Sequence, residues 1–214
     1  MAPQPTPIFR ITHIDNLPTI IRRGGLHAPN FTPDDGLPYR NTHNAEVQAA
    51  RRELAIPCGP RGTVHDYVPF YFGYLSVMLL NLKTGRVQGY NEGQEPIIYL
   101  KTSTQAIEAS GTGFVFTNGH GLAALTDWYD ALCHLDEVDW NIVYERYWRD
   151  TNEDNDRQRR KQAEFLVHRF CDWSLVQEIG VINRRIHDIV TAHLDNFPGI
   201  QRPPVTVQPD WYYY

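Results

Sequence analysis

The chain is poor in cysteine. Its 214 residues hold three, Cys58, Cys133 and Cys171, with no CxxC spacing. An odd, scattered set excludes a disulfide framework and points to reduced thiols inside a cell. Long apolar runs are also missing. The most apolar window, Val68 to Leu82, is too short and too interrupted to span a bilayer. The first seven residues offer neither the basic nor the apolar segment of a secretory signal. A soluble cytoplasmic protein without membrane contact is therefore expected. Neither GxGxxG nor GxxxxGK[ST] occurs, so the familiar glycine-rich nucleotide loops are absent. The nine histidines form no HxxxH or HExxH pair, and no GxSxG is present. A metal site and a serine-hydrolase triad are left without support. No internal repeat and no low-complexity tract is found. The net charge of -5 does not advertise nucleic-acid binding by the whole molecule, although local charge decides phosphate affinity.

What is present is an ordinary globular composition, 42% hydrophobic with twelve Tyr and five Trp. The pattern predicts strands at 8–12, 68–72, 96–100, 114–117, 164–170, 176–182 and 205–208. Helices are predicted at 17–23, 45–54, 76–82, 104–109, 127–135, 139–149 and 184–194. The helices are short and no regular βαβ alternation appears, so the class is α+β with a mixed or split sheet. The chain is read as one domain, 1–214.

Five places hold residues able to carry chemistry. His13 ends the first strand, where it either faces a cleft or caps the next helix. Arg51 and Arg52 end a helix, where they either grip a pyrophosphate or sit in solvent. Tyr67, Pro69 and Tyr71 share one face of a strand that is either core or a stacking surface. His120 lies in a glycine-bracketed turn after a strand. The run 149–163 is nearly all charged or amide side chains. Its basic end, Arg157, Arg159, Arg160 and Lys161, directly precedes Glu164, which opens an apolar strand. Acids flank this cluster only on its N-terminal side, which puts positive charge at the mouth of a presumed site.

Ile11–Leu17, the stretch from Gln48 to Arg52, HDYVPFYF at 65–72, Phe114–Thr117 with His120, and KQAEFLV at 161–167 occur in this order. On these strings the chain resembles the DarT family, the toxin half of DarT–DarG toxin–antitoxin systems, from about residue 5 to Tyr213. The resemblance implies an ADP-ribosyltransferase fold, a split mixed β-sheet with flanking helices around an NAD cleft. It implies transfer of ADP-ribose from NAD, with release of nicotinamide, to a base of single-stranded DNA, thymidine in the group this chain most resembles. A macrodomain antitoxin of the DarG type is the implied partner, and the chain is read as a monomer.

The family motifs carry roles onto this chain. Glu164 matches the catalytic glutamate and Arg51 the catalytic-site arginine, with Arg52 adjacent. His13, Ile14, Asn16, Leu17, Arg51 and Tyr71 match the NAD contacts. His120, Arg52, Arg157, Arg159, Arg160 and Lys161 match the DNA side, and 149–163 stands in the place of the substrate loop. Tyr39, Tyr74 and Tyr90 are candidates to stack flanking bases. Other acceptors (guanosine, RNA, protein) and a non-catalytic binding module of the same fold remain open at this stage.

Overall fold

The computed structural model describes all 214 residues. In chain order the elements are β1 (Pro7–His13), α1 (Leu17–Arg22), β2 (Gly25–His27), α2 (Ala45–Glu53), β3 (Tyr67–Tyr71) and α3 (Val77–Lys83). Then come β4 (Ile97–Ser103), α4 (Thr104–Ala109), β5 (Phe114–Thr117), β6 (Trp128–Tyr129), α5 (Trp140–Tyr144) and α6 (Arg157–Arg160). The last are β7 (Glu164–His168), β8 (Phe170–Asp172), β9 (Glu178–Val181), α7 (Arg184–Asp195) and β10 (Val205–Val207). Eight strands form one sheet in the order β10-β9-β4-β1-β3-β7-β5-β6, while β2 and β8 pair separately. Only β10 and β9 run parallel, so the sheet is mixed and the class is α+β.

The sheet is split in its middle. β1 matches β4 at every position from Pro7↔Ser103 to His13↔Ile97, but meets β3 at one register pair, Phe9↔Tyr71. Pro69 explains the break. Its carbonyl faces β1, where it accepts the Arg10 guanidinium at 3.2 Å. N and C=O of one residue lie on the same side of an extended strand, so the donor that proline lacks is also on the β1 side. The ladder cannot close there, and β3 pairs fully only with β7.

Alternation along β1 sends Ile8 to one face of the sheet and Phe9 and Ile11 to the other. The first face packs under α1, α4 and α7, which contribute Ile20, Ile107 and the i, i+4, i+8 stripe Ile186, Val190 and Leu194. The second carries Leu79 and Leu82 of α3 with Tyr99 and Tyr212. Gly180 in β9 lets Trp211 lie on the strand, since a Cβ there would stand 2.2 Å from the indole. Gly180→Ala is expected to cost about 2 kcal/mol and lower Tm by roughly 4–8 °C, with a red shift of the tryptophan emission. A calorimetric scan showing no change would contradict this packing.

Three predicted elements differ. The helix at 127–135 is absent: Trp128 and Tyr129 form an edge strand on β5, with Tyr129 stacked on Phe116 at 5.2 Å, followed by a 3-10 segment. Cross-strand aromatic packing outweighs helix propensity here. The helix at 139–149 stops at Tyr144, because Lys161 Nζ takes the carbonyls of Val143 and Glu145, both at 2.7 Å. The strand at 164–170 is two strands, broken at Arg169 with φ +63°. The second of these pairs with β2, which the sequence pattern did not reveal.

Candidate active site

Asn44 caps α2 through its side chain, accepting the N–H groups of Glu46 and Val47. The helix then presents Gln48, Arg51 and Arg52 at i, i+3 and i+4, one face of its surface, and all three line a cavity of about 700 Å³. β7 opens at Glu164, directly across from Tyr71 on β3, so both side chains stand on the same face of the sheet. Arg51 meets Glu164 as a two-pronged fork: Nη1 donates to Oε1 and Nη2 to Oε2, both at 2.8 Å. The side chains are 9% and 6% exposed. A buried charge pair of this kind holds only with good geometry, and a planar fork supplies it. Glu164 is anchored further by its own N–H, which donates to Thr117 Oγ1 at 3.2 Å.

The wall of the cleft is cationic. Its 32 residues include five arginines and a single carboxylate, Glu164, in a molecule whose net charge is -5. Three of the five are neutralised: Arg51 by Glu164, Arg23 by Asp35, and Arg40 by Asp15 and Glu92. Arg10 and Arg52 face the cleft without a carboxylate partner. Arg10 also keeps a buried Nε with no partner. The volume falls in the range of ligand clefts, roughly 300–1,000 Å³. The charge suits a polyanionic guest such as a pyrophosphate.

Tyr71 and His120 complete the wall beside Glu164. Burial, reinforced by the Glu164 charge, pushes the Tyr71 hydroxyl up to about 12, so it stays protonated. Burial lowers the His120 imidazole below its ordinary value. Glu164 works against that and Arg51 with it. A neutral His120 at pH 7 follows. His65 Nε2 lies 3.2 Å from Gln48 Oε1, and burial and the neighbouring arginines lower its pKa.

The predicted residues divide. Asn16, Arg51, Arg52, Tyr71, His120 and Glu164 converge on the cleft. His13, Ile14 and Leu17 are not on its wall. His13 is 2% exposed and its Nδ1 accepts the Asp15 N–H at 3.1 Å, so it caps the turn that follows β1. Ile14 and Leu17 are core. Asn16 works through the backbone of the 32–44 segment: Oδ1 accepts Arg40 N–H at 2.6 Å and Nδ2 donates to Arg40 O at 2.9 Å. Tyr90 is buried and Tyr74 is stacked on Trp211, which leaves Tyr39 at the cleft.

The basic cluster lies apart from the cleft. None of Arg157, Arg159, Arg160 and Lys161 lines the cleft. Arg157 donates to the carbonyls of Arg149 and Tyr147. Arg159 pairs with Asp156, and Arg160 with Asp139, Asp154 and Asp156. The loop folds back on itself: Asp154 and Asp156 within it, with Asp139 from further away, neutralise Arg159 and Arg160, and carbonyls hold Arg157. Lys161 is buried beneath it. Sequence reading also passed over Arg10. A lone cation on the inward face of an otherwise apolar strand was the available signal.

Burial lowers the Lys161 ammonium to about 7, against 10.5 when exposed. Between those values the unfolded chain holds the extra proton, so stability rises with pH across that window and falls as pH drops to 7. Relative to Lys161→Met, the unfolding free energy of the native chain is expected to gain about 1.4 kcal/mol per pH unit between pH 7 and 10. Urea titrations of both proteins check the slope, and parallel curves would contradict it.

The match to known proteins decides the family. A family model described as DarT, ssDNA thymidine ADP-ribosyltransferase, matches residues 9–213. The DNA ADP-ribosyl transferase of Thermus sp. (strain 2.9) is 41% identical over 211 residues, 99% of this chain and 98% of its own. The chain belongs to the DarT family. Two solved structures agree with this fold. Thermus sp. 2.9 DarT in complex with ADP-ribosylated ssDNA superposes with TM-score 0.93 at 40% identity, covering 100% of this chain and 99% of its own. The same protein in complex with NAD+ gives TM-score 0.88 at 39% identity, with 100% of each chain covered. Like those proteins, this DarT-family chain is an α+β ADP-ribosyltransferase. No helix in it is long and apolar enough to cross a membrane.

Proposed function

We propose that the cleft performs the family's reaction around Glu164: ADP-ribose passes from NAD to a thymidine base of single-stranded DNA, and nicotinamide is released. The observation that carries this reading is the buried Arg51–Glu164 fork at the base of a cationic cleft. The relatives bound to NAD+ and to ADP-ribosylated ssDNA support the choice of donor and acceptor. NAD is the co-substrate, and a wall with two free arginines and an orphaned buried guanidinium Nε fits its pyrophosphate.

The chemistry follows from the charges. The glycosidic C–N bond breaks and its electron pair leaves with nicotinamide, which needs no proton. Positive charge grows on the ribose. Each Glu164 oxygen accepts one N–H from Arg51 and keeps a lone pair for a ribose hydroxyl, so the carboxylate can stabilise that charge without being released from its fork. A thymine ring nitrogen then bonds to the ribose carbon and gives up its proton. Neutral His120 is the base in reach of that region. The Arg51 cation offsets negative charge on the base. Pairing hides this nitrogen in a duplex, which explains the single-stranded substrate. The same reading takes the chain as a cytoplasmic monomer, with a macrodomain antitoxin as its counterpart.

Labelled NAD incubated with the enzyme and oligonucleotides of each base tests the assignment. Label is expected on thymidine-containing single strands alone. Label on guanosine oligonucleotides, RNA or protein would replace this acceptor.

A further inference from the structure

We propose that Arg159 is a positioning residue for the acceptor side of the site, holding the 117–127 loop against Glu164 rather than gripping DNA. The proposal rests on the reading of Glu164 and His120 given above.

Arg159 is enclosed on every side by hydrogen bonds. Nε and Nη2 donate to the two carboxylate oxygens of Asp156, both at 2.7 Å. Nη1 donates to Asn118 Oδ1 at 3.2 Å and to Thr126 Oγ1 at 3.3 Å. Four of its five N–H donors are thereby used, so little remains for a phosphate. Its carbonyl accepts the N–H of His120 at 2.9 Å. Thr126 extends the link: while it accepts from Arg159, its hydroxyl donates to the carbonyl of His120 at 2.8 Å. His120 is thus held through both its backbone groups, one by the Arg159 main-chain carbonyl and one through a hydroxyl that the Arg159 guanidinium orients; only the second is lost in Arg159→Ala.

Two glycines show that the fit is tight. A Cβ at Gly119 would lie 2.3 Å from Arg159 Nη1 and 3.0 Å from its Cγ. A Cβ at Gly121 would lie 3.1 Å from Glu164 Oε1. The loop that Arg159 clamps is therefore the wall against which the carboxylate stands. Thr117 ties the same loop to the start of β7, donating to the Gly119 carbonyl at 2.7 Å while accepting the Glu164 N–H at 3.2 Å. Two segments distant in sequence, one bearing His120 and one ending at Glu164, are tied by Thr117 and by the Arg159 carbonyl, and the guanidinium adds the side-chain clamp through Asn118 and Thr126. Displacements of about 1 Å at reacting groups cost up to 10²-fold in rate, so the clamp bears on turnover and not on NAD affinity.

The test compares native enzyme, Arg159→Ala, Gly119→Ala and Glu164→Gln in steady-state transfer to a thymidine oligonucleotide. Salt-dependent DNA binding and NMR titration of His120 accompany it. Arg159→Ala is expected to lose about 10²-fold in kcat with KM for NAD within about twofold, and its DNA-binding salt slope stays that of the native enzyme. The His120 pKa rises towards the ordinary histidine range as its packing loosens. Gly119→Ala, which keeps the charge but displaces the guanidinium, is expected to lose turnover in the same way. It carries the test if Arg159→Ala does not fold. Unchanged kcat in both folded variants, with Glu164→Gln inactive, overturns the positioning role and leaves the reading of Glu164 standing. A salt slope lowered by about one in Arg159→Ala, with kcat intact and normal binding by Gly119→Ala, makes Arg159 a phosphate clamp instead. Full transfer by Glu164→Gln sinks the underlying reading itself.

Discussion

Glu164→Gln should lower ADP-ribose transfer by about 10³-fold and at the same time destabilise the fold by about 3 kcal/mol. The two effects have one source. The carboxylate is the only acid in the cleft wall, and losing an electrostatic group that faces growing charge costs roughly 10²–10³-fold in turnover. Its ion pair with Arg51 is also the one pair in which both side chains are buried. A glutamine leaves Arg51 charged, buried and uncompensated, and breaking one side of a buried pair costs about 3–5 kcal/mol. The effects separate in the double variant Arg51→Met with Glu164→Gln. Removing both charges should restore much of the stability and none of the transfer. Chemical denaturation of the single and double variants, read beside transfer rates, checks both halves. Stability unchanged by the single substitution would mean that the pair is not buried as described.

The second large effect is expected at Arg51. Arg51→Lys keeps the charge but replaces a planar fork with one point donor. Glu164 then loses one of the two 2.8 Å bonds that fix its plane. Turnover should fall about 10²-fold, with stability lower by about 1–2 kcal/mol. Arg52→Lys serves as the contrast, because Arg52 is exposed on the cleft rim and its charge does not depend on a fork. That variant should retain turnover within a few-fold. Equal losses at both positions would mean that geometry at Arg51 is not what matters.

Much of this arrangement was legible in the sequence, and the reasons are physical. The strand positions of Tyr71 and Glu164 followed from alternation and an apolar run. The helical spacing of Gln48, Arg51 and Arg52 put them on one face, although only the fold shows that Arg51 is buried against Glu164 while Arg52 stays exposed on the cleft rim. Pro69 was visible as a letter, but its effect depends on which strand lies beside it. His13 illustrates the opposite case. A strand-end histidine reads more often as a cap than as a cleft contact, and its Nδ1 does accept the Asp15 N–H, while its buried Nε2 has no hydrogen-bond partner. The basic run before Glu164 lies off the cleft wall, and its donors are taken by Asp154 and Asp156 nearby and by partners that only the fold supplies. Asp139 reaches Arg160 from 21 residues away, and Lys161 finds two carbonyls at the end of α5. Charge patterning along a chain does not reveal such closures. The β2–β8 pair was missed for a similar reason: three-residue strands carry too little periodicity to be seen.

The central claim is that this cleft moves ADP-ribose from NAD to thymidine in single-stranded DNA, with Glu164 running the chemistry. Mass spectrometry of two oligonucleotides that differ only at one thymine, each incubated with NAD and the native enzyme, tests it most directly. The account predicts one added ADP-ribose on the thymine of the first strand, none on the second, and none on either with Glu164→Gln. An adduct on the thymine-free strand, or a full adduct formed by Glu164→Gln, would contradict it.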